Sequence, residues 1–133
     1  MGIAVDTVRR IFAHLEAGSG DRFFEHVADK VDWTVEGTHP LAGRYTSKRD
    51  FRAHTFERLN RILPGGVQLQ VENVLIAGDW AVIELRSHAT ATTGLRFDNH
   101  YCWVTRFAGE TIVEVRAYLD SALVQKLIDE TGG

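Results

Sequence analysis

The sequence predicts an α+β fold in which antiparallel strands wrap over helices. Three observations point there. Apolar residues recur mainly at helical spacing as far as Pro64, and beyond Gly66 their period changes from about 3.6 to 2. A chain of 133 residues, 44% hydrophobic and 25% charged, has the makeup of one domain over residues 1–133 with its own core, and not of a disordered segment. Turn residues cut the second half into four segments of strand length.

The elements follow in order. Val5, Val8, Ile11, Phe12 and Leu15 predict a first helix, stopped at Gly18. Asp21 is placed to cap a short second helix that turns Phe23, Phe24 and Val27 inward. Val31-Asp32-Trp33-Thr34-Val35-Glu36 alternates as a strand, and Gly37, Pro40 and Gly43 mark the stretch to Tyr45 as a loop. Ser47 and Asp50 have capping-box spacing. Behind them Phe51, Thr55, Leu59 and Ile62 form one helical stripe, ended by Pro64-Gly65-Gly66. Val67, Leu69 and Val71 alternate into the apolar run 74–77, and Gly78-Asp79 turns the chain into a strand from Trp80 to about Thr92. Thr93-Gly94 fits a two-residue hairpin turn, from which residues 95–107 return. A last strand from about Thr111 to Leu119 leads to a helix, capped by Ser121, that carries Leu123, Val124, Leu127 and Ile128.

A two-residue turn at Thr93-Gly94 sets Glu84 opposite Trp103, Arg86 opposite Tyr101 and His88 opposite Asn99. All six side chains then share one face, and Cys102 falls on the other. Such a face is either a solvated or dimer-forming outer surface, or the lining of a ligand pocket. Alternation leaves both open.

Several classes are disfavoured. A net charge of −3 argues against a nucleic-acid binder. The single cysteine, Cys102, excludes an intrachain disulfide and suits a reducing cytoplasm. No apolar run is long enough to span a membrane, and the N-terminus lacks a signal-peptide core. His14, His26, Asp29 and His54 lack metal-ligand spacing, and no glycine-rich phosphate loop follows a strand. No metal and no cofactor are expected.

The stretch Thr93-Gly94-Leu95-Arg96-Phe97-Asp98-Asn99-His100-Tyr101 resembles the SnoaL-like proteins of the nuclear transport factor 2-like superfamily. So do Thr105-Arg106-Phe107, the run from Ile112 to Asp120, and Trp33 followed by the loop from Gly37 to Gly43. The resemblance spans nearly the whole chain. It implies a cystatin-like cone: a curved antiparallel sheet folded around helices, with a pocket at one end and a homodimer formed through the outer sheet face. It favours the pocket reading of the polar face. By similarity to epoxide hydrolases of that superfamily, Glu84 and Arg86 face the pocket. Asn99, Tyr101 and Trp103 on one strand, and Val115, Ala117 and Leu119 on the last, match pocket positions.

The same comparison removes two known chemistries. The positions matching the tyrosine, base and acid of ketosteroid isomerases are Ile11, Val35 and Trp103, and none moves a proton. The epoxide-hydrolase pattern reads Glu84, Arg86 and Ala117, with Trp33 and Val35 where that enzyme holds its water, so the motif is broken. What remains is a pocket for a small hydrophobic organic ligand. The candidate catalytic groups are Glu84 or His88 as base and Arg86 or Tyr101 as donor to a developing oxyanion. Trp33, Val35, His39, Phe56, Asn99, Trp103, Val115, Ala117 and Leu119 are the candidate binding residues. Three functions fit: a cofactor-free isomerase, cyclase, dehydratase or hydrolase; a non-catalytic binder using the same pocket; and a dimeric scaffold.

Overall fold

A computed structural model of the chain describes residues 2–133. The N-terminal periodicity becomes helix α1 (Val5–Glu16), which buries Val8, Ile11, Phe12 and Leu15 on one face. In α2 (Gly20–Phe24) Asp21 does not cap; Ser19 holds the N-cap position, and the Asp21 carboxylate instead accepts from Arg52 at 2.6 Å. Strand β1 (Val27–Val35) begins four residues before the alternation predicts, with Val27 pairing across to Ile112. The expected loop contains a short strand, β2 (Gly43–Tyr45), laid antiparallel on β1.

The helix expected after Ser47 is two helices, α3 (Lys48–His54) and α4 (Phe56–Asn60). Ser47 caps the first as its spacing predicts, accepting from Asp50 N–H at 3.0 Å. The break falls at Thr55, with φ −121° and ψ −82°. There the β-branched side chain bonds back to the Phe51 carbonyl at 2.6 Å, a contact that competes with continued helix.

Strands β3 (Leu69–Ala77), β4 (Trp80–Ser87), β5 (His100–Ala108) and β6 (Thr111–Leu119) complete a six-stranded curved sheet in the order β2-β1-β6-β5-β4-β3. The sheet is mixed, because β1 and β6 run parallel. No hairpin joins those two strands, so nothing forces them antiparallel. Helix α5 (Ser121–Thr131) closes one end; its N-cap is Asp120 rather than Ser121, accepting from Leu123 N–H at 3.2 Å.

Two hydrophobic clusters fill the concave side. The larger joins α1, α2 and α3 to the sheet around Phe12, Phe23, Trp33, Phe51 and Trp103. The smaller lies under α5, around Leu41, Leu59, Leu63, Phe97, Val124 and Leu127.

The register of β4 and β5 differs from the expected one by a single residue. Ala91 N–H bonds to the Leu95 carbonyl at 2.8 Å, and Gly94 N–H to the Ala91 carbonyl at 2.9 Å. The hairpin loop is therefore the three residues Thr92, Thr93 and Gly94, with Gly94 in the left-handed region at φ +91°. Phe97 N–H to Ala89 O and Ser87 N–H to Asn99 O continue that register into the strands. Ile83 then opposes Trp103, Leu85 opposes Tyr101, Glu84 opposes Cys102 and Arg86 opposes His100. One extra loop residue has exchanged the faces.

Candidate functional site

Cross-strand rows build the inner wall at the end of the cone. Ile83, Trp103, Ala117 and Val35 form one row, and Leu85, Tyr101 and Leu119 the next. Phe51 and Thr55 of the α3 end, Phe56 and Leu59 of α4, Leu41 of the loop and Val124 of α5 cover it. Together with Trp33, Val67, Leu69 and Phe97 these side chains line a cavity of about 50 Å³ where the two hydrophobic clusters meet. Phe56 and Val67 also line an outer cleft of about 420 Å³ beside Arg22, Arg52 and Asn60, so these two side chains form the partition between cavity and exterior.

Of the binding residues expected from sequence, Trp33, Val35, Phe56, Trp103, Ala117 and Leu119 line this cavity, as does Tyr101. Val115 points inward but lies in the packed core outside the lining, fully buried between Trp33 and Thr105. Asn99 is fully buried in a structural role. Its Oδ1 accepts from Asp120 N–H at 3.0 Å and from His100 N–H at 2.8 Å, while Nδ2 donates to the Asp120 carbonyl at 3.3 Å. It fixes the entry to α5. His39 is buried in the loop: its Nδ1 accepts from Leu41 N–H at 3.2 Å and its Nε2 lies 3.1 Å from the Glu36 carbonyl. That pairing selects the neutral tautomer protonated on Nε2, and burial lowers the pKa below its ordinary value. A Cβ on Gly37 would run into Ser121 Oγ, so a glycine is what lets this loop seat against α5.

Glu84, Arg86 and His88 are not in the cavity. Glu84 stands on the convex face and accepts from Asn73 Nδ2 at 3.1 Å. Arg86 reaches Glu72 on β3 at 3.3 Å rather than Glu84, and half-exposed His88 lies 3.7 Å from Asp98. Their chain positions are as expected; the turn has rotated them outward. Cys102 shares that outer face, where burial and the Glu84 carboxylate push its thiol pKa up.

The cavity's polar groups are few. The Tyr101 hydroxyl donates to Ser87 Oγ at 3.2 Å, and Ser87 donates onward to the Phe97 carbonyl at 3.1 Å. Burial pushes the Tyr101 phenol up to about 12, so it stays protonated at neutral pH. Thr55 uses its proton on Phe51. Trp33 is fully buried, its ring stacked on Phe51 at 3.9 Å, and its indole Nε1 has no hydrogen-bond partner among the described residues. No Asp, Glu, Lys, Arg or His lines the cavity, among the described residues. Sequence reasoning missed Ser87 and Phe97. Phe97 follows from alternation alone, since it shares a face with Asn99 and Tyr101, and Ser87 follows once the register puts Leu85 beside Tyr101. The predicted stripe Phe51, Thr55, Leu59 already held the covering residues.

A curved sheet wrapped on helices, with an apolar end cavity, defines the nuclear transport factor 2-like class. The chain belongs to the SnoaL-like domain family, whose model matches residues 8–115. It is 29% identical over 112 residues to the fungal "Dimerizing cyclase phiC", an alignment covering 79% of this chain and 48% of that protein. The chain thus spans about half the length of that relative. Among solved structures, an NTF2-like protein of Burkholderia thailandensis superposes with a TM-score of 0.79 at 23% identity, over 92% of this chain and 95% of that one. A cystatin-like protein of Xanthomonas campestris gives 0.78 at 18%, over 92% and 95%. A ketosteroid isomerase-like protein of Catenulispora acidiphila, solved in complex with trimethylamine, gives 0.72 at 15%, over 98% and 95%. These likenesses establish the fold alone.

Proposed function

We propose that this chain binds a small, predominantly apolar organic molecule in the end cavity. The observation that carries the reading is the lining itself: aromatic and aliphatic walls with a few neutral polar groups where the two clusters meet. A charged ligand is disfavoured there, because a buried charge without a partner is costly. The ligand-bound Catenulispora protein supports a small-molecule site in this class of fold.

A cyclase-type activity is the second reading, favoured by the name of the 29% identical relative. With no carboxylate or imidazole at the cavity among the described residues, such catalysis works by holding the substrate in a reactive shape between neutral walls. Glu84, Arg86 and His88 take no part in it.

The test is binding of a panel of small uncharged organic molecules, read by native mass spectrometry and thermal shift. Ala117→Val adds two carbons to a cavity of about 50 Å³. It is expected to lower affinity at least tenfold with little change in melting temperature, whereas Arg86→Ala leaves affinity within twofold. Binding that survives Ala117→Val and disappears with Arg86→Ala would overturn the reading.

Homodimerisation is proposed through the convex face. Leu75, Val82 and Val104 form an apolar row across β3, β4 and β5, and Tyr118 flanks it; Leu75 is 56% exposed and Tyr118 45%. Around them stand charges of both signs, Glu84, Arg86, Arg106, Glu114 and Arg116, so a second copy related by two-fold symmetry offers complementary partners.

A further inference from the structure

Resting on the reading of the cavity as a binding site, we infer that the indole N–H of Trp33 is its selecting donor, and that the ligand is an uncharged molecule with an acceptor oxygen, of the ketone or aldehyde class. Three buried side-chain nitrogens lack partners among the described residues: Trp33 Nε1, Arg52 Nε and Arg86 Nε. Of these three residues only Trp33 lines the cavity. Arg52 has its own partners, Asp21 at 2.6 Å and the face of Phe24 at 4.5 Å, and Arg86 is on the convex side with Glu72.

A buried N–H left without an acceptor is penalised, and native proteins rarely keep one without a use. Rotation of the indole is restrained, because the ring stacks on Phe51 at 3.9 Å and meets Trp103 edge-on at 5.1 Å. The donor is therefore fixed in place before any ligand arrives. Beside it the walls offer the indole N–H of Trp103 and, as acceptors, the oxygens of Tyr101 and Thr55, whose own protons are used on Ser87 and Phe51. A carbonyl compound needs one donor for its oxygen and apolar wall for the rest. A carboxylate would need a cation, and none lines the cavity among the described residues.

Acetone, isobutene and acetate test this, since all three are planar Y-shaped groups of four heavy atoms. They differ only in offering a neutral acceptor, no acceptor and a charged one. The readout is the three indole N–H resonances of the intact ¹⁵N-labelled protein, with Trp33 assigned in the parent protein by through-bond and NOE correlations. Acetone is expected to move the Trp33 indole proton downfield with saturation. Isobutene should bind, shifting wall resonances without that downfield change, and acetate should leave the spectrum unmoved at equal concentration. Trp33→Phe should lower the ratio of acetone to isobutene affinity about fivefold, the ratio cancelling any change in cavity size. Isobutene binding without an acetone-specific shift at Trp33 would overturn this inference and leave the binding reading standing. A ratio unchanged in Trp33→Phe would overturn it likewise, as would acetate binding more tightly than acetone. If neither acetone nor isobutene perturbs any wall residue, the binding reading itself fails. The wild-type indole shift does not depend on the variant folding.

Discussion

At the residue scale, the cavity is controlled by neutral groups whose protons are already placed. Tyr101 gives its proton to Ser87, and burial pushes its pKa up to about 12. Affinity for an uncharged ligand should therefore be flat between about pH 6 and 9, as titration calorimetry across that range would show; a carboxylate or imidazole base would instead impose a slope. Above that range the sign is set by linkage. The unfolded chain loses the Tyr101 proton near the ordinary value of 10.0 and the folded chain near 12, so stability declines as pH rises through that window. Tyr45, also raised by burial, adds to the effect. Urea unfolding at pH 9 and 11 should show a smaller loss for Tyr101→Phe than for the parent chain. Trp33 and Tyr101 were legible as inward-facing in the sequence because each lies on an alternating strand. His39 and Asn99 carry the residue types of chemistry, yet every polar atom of either side chain is paired with backbone.

At the scale of the element, the β4–β5 hairpin decides which side chains see the cavity. Its Thr92-Thr93-Gly94 loop needs a left-handed residue third, and Gly94 supplies it at φ +91°. Gly94→Ala should cost about 1 kcal/mol in chemical denaturation, with Gly94→Asn closer to the parent. A result with no loss for alanine would mean the loop is not held in this shape. The Thr55 break matters in the same way. It parts the predicted stripe into two short helices, so that Phe51 stacks on Trp33 while Phe56 stands at the partition with the outer cleft. Helical period identified the stripe, but not the bend that aims its two halves.

At the scale of the molecule, one sheet separates the two sides to which functions are proposed. The concave side holds the cavity, and the convex side carries the apolar row from Leu75 to Val104 among paired charges. Among the described residues no helix is long and apolar enough to cross a membrane. Leu75→Lys should shift the protein from dimer to monomer in analytical ultracentrifugation while ligand affinity stays within twofold, because that side chain is a full sheet thickness from the cavity. A parent chain that sediments as a monomer would remove the dimer proposal and leave the cavity reading intact.

The amino-acid sequence by itself determined the periodic content of this protein: which stripes the helices bury and where the chain turns to strands. Those are local properties, set by side-chain spacing against fixed backbone periods. It did not determine the facing of Glu84, Arg86 and His88. Thr92-Thr93-Gly94 accommodates a hairpin loop of two residues or three, and the choice inverts every side chain of one strand relative to the other. Only the tertiary structure decided it, through Gly94 in the left-handed region, the backbone pairing of Ala89, Ala91 and Ser87, and the burial gained by turning Ile83 and Leu85 inward beside Trp103 and Tyr101. The charged face expected in the pocket became the outer face, and a neutral cavity stands in its place.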